Sequence, residues 1–470
     1  MSTYDVRIQS IEEHEGRNPK TGKPRSTHRV RWVVAGKRRG ESFQTKALAE
    51  SFRSRLITAQ REGIIFDEVS GLPEPMARER NSRTWYEHAV AFVDMKWARS
   101  AAKHRKSIAE ALANVTAALL STDRGAPTDE EIRRALYSWS FNKTRRDAGP
   151  PPDDIASTVR WLTDNTVKLT ELSDAALVRK ALDVLALRID GKAAAATTVA
   201  RKRGVFYGAL RYAVELRLLT SHPMDHVQWI APKSTDEVDR RSVVNPDQAI
   251  ALLSAVHDRA PKLVAFFACM YYAALRPAEA LHLRVDECEL PESGWGTLRL
   301  TGSTQYVGQD WGDDSGSVRE DRELKHRAKT ATRPVPAPPI LVRALRWHIA
   351  AHGHAPDGRL FVAQGYGRGS VSKETYARVW RAARKDALTP AQQRTPLGKV
   401  PYQLRHAAVS LWLNAGVPAT QVAEWAGHSV HVLLKVYAKC IEGQDEAARR
   451  RIEEALGEVG DQGDAAGVAA

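Results

Sequence analysis

Three observations predict a multi-domain fold, with a small β-sheet plus helix domain at the N-terminus, an all-α domain in the middle and a mainly α (α+β) domain at the end. At 470 residues the chain exceeds what one hydrophobic core organises. Its hydrophobic period is two near the N-terminus and helical over most of the remainder. Two polar, proline-containing stretches, "VSGLPEPMARERNS" and "APKSTDEVDRRSVVNP", break that pattern and mark linkers. The domains predicted on this basis are residues 1–68, 82–230 and 243–456. Residues 457–470 lack a hydrophobic period and read as a disordered tail.

In the first domain Tyr4, Val6 and Ile8 alternate with polar residues, as do Val30, Trp32 and Val34, which predicts strands. "AGKRRGESF" reads as a glycine-containing turn into a third strand. Leu48, Phe52, Leu56 and Ala59 then recur at helical spacing. From Arg17 to Gly40 there are nine Lys or Arg and no acidic residue. Alone, such a run is an ordinary solvated face. On a small sheet in a basic protein it favours phosphate contact, with Arg31, Arg38 and Arg39 as candidates.

The second domain reads as helices throughout, among them "TWYEHAVAFVDMKWARS", "SIAEALANVTAAL" and "TVARKRGVFYGALRYAVELRLL". In the last, Val199, Phe206, Leu210, Ala213 and Leu216 keep one apolar stripe. Lys103, Arg105 and Lys106 near one helix start, and Arg201, Lys202 and Arg203 on another helix, are candidate contacts to a DNA backbone.

The third domain is helical at both ends. Between Glu287 and Pro339, "WGTLRL" and "RPVPAPP" predict short strands around a Gly/Asp-rich insertion. The apolar run Leu263 to Leu275 is too short to cross a bilayer and lies between Lys262 and Arg276, so it reads as a buried core helix.

Composition narrows the function. Lys and Arg number 70 against 56 Asp and Glu, a formal charge of +14, which favours a polyanionic partner. The three cysteines form no CxxC pair, so neither a disulfide framework nor a zinc site is indicated, and a reducing cytoplasm is the expected location. No signal peptide opens the chain. No metal or other cofactor is expected.

Four separated pieces of the third domain make a phosphate-directed set. In "AALRPAEALHLR", Arg276 precedes Pro277, a favoured first helical residue, so its guanidinium lies at a helix start. Glu279 can reach back as a capping carboxylate or hold Arg276. In "LKHRAKTATRPVP", Lys329 lies at a turn between strands, with Lys325 the competing candidate. In "YQLRHAAVSLWLNAG", Tyr402 and Arg405 share a helix face, while Leu404, Ala408 and Leu411 are expected to pack inward and Gly416 to end the helix. In "AGHSVHVLLKVY", His428 sits at a helix–turn junction and Tyr437 follows nine residues later.

Two arginines, a lysine, a histidine and a tyrosine lack the carboxylate cluster that a magnesium-dependent nuclease needs. They suit metal-free phosphoryl transfer. Guanidiniums hold the non-bridging oxygens and a tyrosine attacks phosphorus. A lysine protonates the departing 5′ oxygen. Because a phosphotyrosyl bond retains the energy of the phosphodiester, rejoining needs no ATP, and no GxxxxGK[ST] loop is present.

At these residues the sequence resembles the tyrosine recombinases, the phage-integrase family of site-specific DNA recombinases. The family's boxes become "LRPAE", "KTATRPVP", "YQLRH" and "AGHSVHVLLKVY" here, in the same order. The resemblance implies that Arg276 and Arg405 bind the scissile phosphate, Lys329 is the general acid, His428 supports the transition state and Tyr437 forms a covalent 3′-phosphotyrosine. Tyr402 departs from the pattern, standing where the family usually has histidine, and is expected to keep only a phosphate-donor role. Ala274 replaces a common glycine.

The resemblance further implies an N-terminal arm-type DNA-binding domain and a helical core-binding domain that closes with the catalytic domain around double-stranded DNA. It implies a homotetramer on two attachment sites, with an excision factor as a further candidate partner. The segment "EAARRRIEEAL" after Tyr437 would dock on a neighbouring protomer. Integration or excision of a mobile element such as a phage is the leading function. A type IB topoisomerase-like enzyme and a non-catalytic DNA-binding family member are the alternatives.

Overall fold

The computed structural model describes residues 2–17, 24–80, 82–233, 238–313, 318–324, 331–363, 369, 371–437, 449–450, 452–453 and 456. Lys325, Lys329, the tail 457–470 and most of the segment 446–456 lie outside the described residues. The chain divides into two compact units, Met1–Lys233 and Ser234–Ala470. The sheet-bearing and the all-helical segments both fall within the first.

In the first unit, strands β1 (Val6–Arg17), β2 (Pro24–Val34) and β3 (Lys37–Phe43) form an antiparallel sheet in that order. Ala35 and Gly36 make the two-residue β2–β3 turn, both at positive φ (49° and 75°). This is the geometry whose twist suits a tight hairpin. The period-two pattern buries Val6, Val30, Trp32 and Val34 against helix α1 (Lys46–Arg61), which contributes Ala49, Leu56 and Ala59. Two residues of these patterns lie outside the core. Tyr4 precedes β1 and is exposed, and Leu48 is exposed because it sits in the first turn of α1, off the face that meets the sheet.

The helices that follow include α2 (Trp85–Trp97), α3 (Ala102–Ala118), α4 (Asp153–Asp164), α5 (Ala175–Leu185) and α6 (Ala196–Glu215). Thr84 caps α2 through a capping box with Glu87. Trp85 is fully buried, edge-on to Phe206 at 5.5 Å, and its indole N–H donates to Thr116 Oγ1 at 3.0 Å. The α6 stripe is buried as expected from Val199 to Ala213. Leu216 is exposed because it lies just past the end of the helix.

The second unit contains α7 (Pro246–Arg259), α8 (Val264–Tyr272) and α9 (Pro277–His282). Strands β4 (Cys288–Glu289), β5 (Gly296–Leu300) and β8 (Arg333–Ala337) make an antiparallel sheet in the order β8–β5–β4. Inserted between β5 and β8 is a second antiparallel pair, β6 (Gly302–Tyr306) and β7 (Arg319–Glu323). Helices α10 (Pro339–His352), α11 (Lys373–Ala387), α12 (Gln403–Asn414), α13 (Ala419–Ala426) and α14 (Val430–Tyr437) follow.

The apolar run around α8 is the buried core helix that its flanking charges predict. No helix among the described residues is long and apolar enough to cross a membrane. Phe266 and Phe267 on α8 pack against Phe361, Tyr376 and Trp380. Trp380 is fully buried and donates its indole N–H to the Gly398 carbonyl at 2.8 Å. Trp380→Ala should therefore lower stability by about 3–5 kcal/mol through the cavity and the orphaned carbonyl. Equilibrium denaturant unfolding of the purified chain measures this.

Candidate active site

The site grows from one helix start. Arg276 occupies the N-cap of α9 in extended conformation and Pro277 is its first helical residue. Glu279 accepts the Arg276 backbone N–H through Oε2 at 2.8 Å and pairs with Arg276 Nη1 through Oε1 at 2.6 Å. The two roles open to Glu279 in the sequence, helix cap and arginine clamp, are both filled by one carboxylate. It is buried, and two further guanidiniums reach it: Arg333 Nη2 from β8 at 2.8 Å and Arg405 Nη1 from α12 at 3.9 Å. Burial alone would raise the Glu279 pKa, but Arg333, Arg276 and Arg405 outweigh it and hold the carboxyl down at about 2.

Three guanidiniums around one carboxylate leave an excess of positive charge in a desolvated setting. Arg405 is fully buried, and burial together with the neighbouring Arg276 lowers its pKa to about 10, still protonated at neutral pH. It is held by backbone carbonyls: Nη1 donates to Ala274 and Nη2 to Ala426. Ala274 adopts φ 49°, a left-handed conformation that costs an alanine about 1–2 kcal/mol. Arg276 keeps part of its side chain at the surface and is held more basic than usual because Glu279 overcomes the effect of burial.

The turn after α13 supplies the next group. Gly427 caps α13 at φ 64°, and its carbonyl accepts from Arg276 Nη2 at 2.8 Å. A methyl group built there would lie 2.1 Å from Arg333 Nη1. Glycine is required on both counts. His428 Nε2 accepts from Arg405 Nη2 at 2.8 Å, which places the imidazole proton on Nδ1. Burial and then Arg405, Arg276, His406 and Arg333 push its pKa down to about 3, so it is neutral at pH 7.

Tyr437 ends α14. Its ring is fully buried with Ala408, Val409, Val422, Ala426 and Leu433, and lies nearly parallel to His428, centroids 6.2 Å apart. Its hydroxyl is 2.7 Å from Nδ1 of His406. Burial and the adjacent Arg405 lower the His406 pKa to about 4. The carbonyl of Val436, one residue before, accepts the backbone N–H of Val238 at 3.0 Å.

The structure thus brings Arg276, Glu279, Tyr402, Arg405, His428 and Tyr437 together. Lys329 and its competitor Lys325 lie outside the described residues. Two residues of this cluster, Arg333 and His406, are not singled out by the sequence reading. Both sit inside the recognised boxes, as the arginine of "TRPVP" and the last residue of "YQLRH". Leu411, expected inward, is exposed because α13 and α14 cover the other side of α12.

The basic candidates in the first unit separate into two groups. Arg38 and Lys103 are exposed, and Arg31, Lys106 and Arg203 are half-buried, Arg31 paired with Glu12 at 3.0 Å. The others serve internal contacts. Arg39 donates to the Glu68 carbonyl at 2.9 Å, and Arg105 is buried over the Trp97 ring and donates to the Trp97 carbonyl. Lys202, also buried, pairs with Glu110 at 3.1 Å, and Arg201 joins the same carboxylate and donates to Ser107.

No family model matches the sequence, nor does any curated protein. Solved structures do match. The Tn1549 transposon integrase in complex with transposon right end DNA is 16% identical, with a TM-score of 0.46, covering 67% of this chain and 97% of that chain. The XerH site-specific recombinase bound to its difH substrate is 16% identical, with a TM-score of 0.40 and coverage of 75% and 94%. A lambda integrase dimer bound to a COC′ core site is 14% identical, with a TM-score of 0.42 and coverage of 97% of each chain. The chain is similar to integrases and to a site-specific recombinase.

Gly427→Ala should cost at least about 2 kcal/mol by denaturant unfolding, since both the backbone and Arg333 would have to move. Acid should also weaken the fold. With folded pKa values of about 4 and 3 for His406 and His428, the unfolded chain takes up their protons first. Stability is full above about pH 6.5 and falls as pH drops toward 4, with about 2–3 kcal/mol from His406. Glu279 adds loss between about pH 4.5 and 2. Unfolding free energies measured from pH 7 to 4 should show that slope, and His406→Gln should flatten it.

Proposed function

We propose that this chain is a tyrosine-type site-specific DNA recombinase, an integrase that cuts and rejoins DNA through a 3′-phosphotyrosine link. The observation that carries this reading is the placement of the Tyr437 hydroxyl on a buried, fixed ring beside His406 and His428, with His428 bonded to Arg405 of the arginine cluster. A nucleophile and a multivalent phosphate anchor share one site, built by a single chain.

In the reaction, Arg276 and Arg405 bind the non-bridging oxygens of the scissile phosphate and stabilise the charge that grows on them. Glu279 keeps those guanidiniums from dispersing without neutralising them all. Arg405 Nε, Arg333 Nε and His428 Nδ1 are buried and have no hydrogen-bond partner among the described residues. A phosphate can supply the acceptors that such donors require. Tyr437 Oη attacks phosphorus, the bond to the 5′ oxygen breaks, and Lys329 protonates that oxygen. Attack by a 5′ hydroxyl of the partner strand reverses the sequence and frees Tyr437, with neither metal nor ATP.

The reading extends to the remainder of the chain. Residues 1–68 act as an arm-type DNA-binding domain, 82–230 as a core-binding domain and 243–456 as the catalytic domain, working as a homotetramer on attachment sites to integrate or excise a mobile element in the cytoplasm. Arg38 and Lys103, with Arg31, Lys106 and Arg203, make the phosphate contacts. Arg39, Arg105, Arg201 and Lys202 support the surfaces that carry them.

Nicked duplexes tiled across the DNA flanking the gene, incubated with the purified chain and resolved in denaturing detergent, test the reading. A covalent protein–DNA band should form, vanish in Tyr437→Phe and form at least about 10²-fold more slowly in Arg405→Ala. Tight binding of the same fragments with no band would instead indicate a non-catalytic DNA-binding protein. Relaxation of supercoiled DNA of any sequence would indicate a topoisomerase. In the same assay Tyr402→Phe should cleave more slowly than the parent, since its hydroxyl is expected to donate to phosphate.

A further inference from the structure

We infer that His406 is the group that takes the phenolic proton when Tyr437 attacks phosphorus, so that the base of the site lies four residues beyond Tyr402. This inference rests on the recombinase reading above. Its basis is geometric. His406 Nδ1 and Tyr437 Oη are 2.7 Å apart, within the reach a general base needs. The imidazole is fixed on both sides: the Tyr402 ring meets it edge-on at 5.1 Å and the Tyr437 ring lies at 5.6 Å. His406 also follows Arg405 directly on α12, so one helix presents the phosphate anchor and the base together.

Neither neighbour competes for the role. His428 uses Nε2 to accept from Arg405 and carries its proton on Nδ1, so it enters as a donor. Tyr402 is a phenol, a poor proton acceptor near neutral pH. With its own proton on Nε2, His406 accepts the tyrosine hydroxyl at Nδ1 and holds that lone pair against the phenolic proton. Burial and the Arg405 guanidinium keep the imidazole unprotonated at neutral pH in the free protein. A bound phosphodiester brings negative charge beside Arg405, offsets that repulsion and raises the basicity of the imidazole as the substrate arrives.

The step balances. The Tyr437 O–H bond breaks and its proton passes to His406 Nδ1, the phenolic oxygen bonds to phosphorus, and the bond to the 5′ oxygen breaks with its electron pair leaving on that oxygen. On rejoining, the His406 imidazolium returns the proton to the departing phenolate.

The test uses the full chain on a nicked duplex carrying its cleavage site, with the rate of covalent complex formation as the readout and gel-shift affinity as the control for binding. His406→Ala should slow cleavage about 10²-fold with affinity unchanged. His406→Asn, which restores a hydrogen-bonding group near Nδ1 without its basicity, should remain equally slow. Replacing Tyr437 by a trifluorotyrosine, a more acidic phenol, should recover most of the loss in the His406→Ala background. Cleavage by His406→Ala within about threefold of the parent, recovery by asparagine, or no recovery with the fluorinated tyrosine would each overturn the assignment while leaving the recombinase reading intact. Absence of any covalent complex with the parent chain would overturn both.

Discussion

The second unit depends on one buried carboxylate. Glu279 touches three guanidiniums that arrive from the start of α9, from β8 and from α12, segments separated by up to 129 residues in sequence, from Arg276 to Arg405. Desolvating a carboxylate or an arginine alone is costly, and only their mutual attraction makes the arrangement stable. The cluster therefore acts as a keystone in which removing the anion leaves like charges facing one another. The same constraint underlies the proposed function, because three cations held by one anion retain an unsatisfied demand for negative charge. In the proposed reaction a phosphodiester meets that demand.

Around this centre the remaining groups are placed by main-chain features more than by side-chain pairing. The left-handed Gly427 sends its carbonyl to Arg276 and delivers His428 to Arg405. The strained Ala274 presents its carbonyl to Arg405. The carbonyls of Ala274 and Ala426 together with His428 thus hold the fully buried Arg405 guanidinium in one orientation, so its direction is set before any ligand binds. Such pre-organisation suits transition-state stabilisation, because no reorganisation is needed as charge develops.

Much of this is legible in the sequence, for local reasons. Arg276, Pro277 and Glu279 announce a capped helix start within four residues, and Gly427 with His428 announces a turn. The period-two strands of the N-terminal sheet and the buried run around α8 are equally local signals. What stays hidden depends on distant partners. Arg333 reads as one more basic residue until Glu279, 54 positions away, is found against it. His406 gains its meaning from Tyr437, 31 positions on. Strands β6 and β7 are unannounced because "REDRE" carries almost no β-forming residue, and their pairing is set by each other and by Thr304, His282 and Asp321. Among the basic residues of the first unit, only burial separates a side chain facing solvent, such as Lys103, from one spent inside, such as Lys202.

The main-chain bond from Val238 to Val436 bears on where the second unit begins. A boundary at residue 243, drawn from composition, passes five residues downstream of a segment already stitched to the last turn of α14. A fragment cut there would lose a hydrogen bond one residue from Tyr437, together with the Val238 side chain that packs beside the tyrosine's own cluster. The packing around Tyr437 consequently includes the end of what reads as a linker.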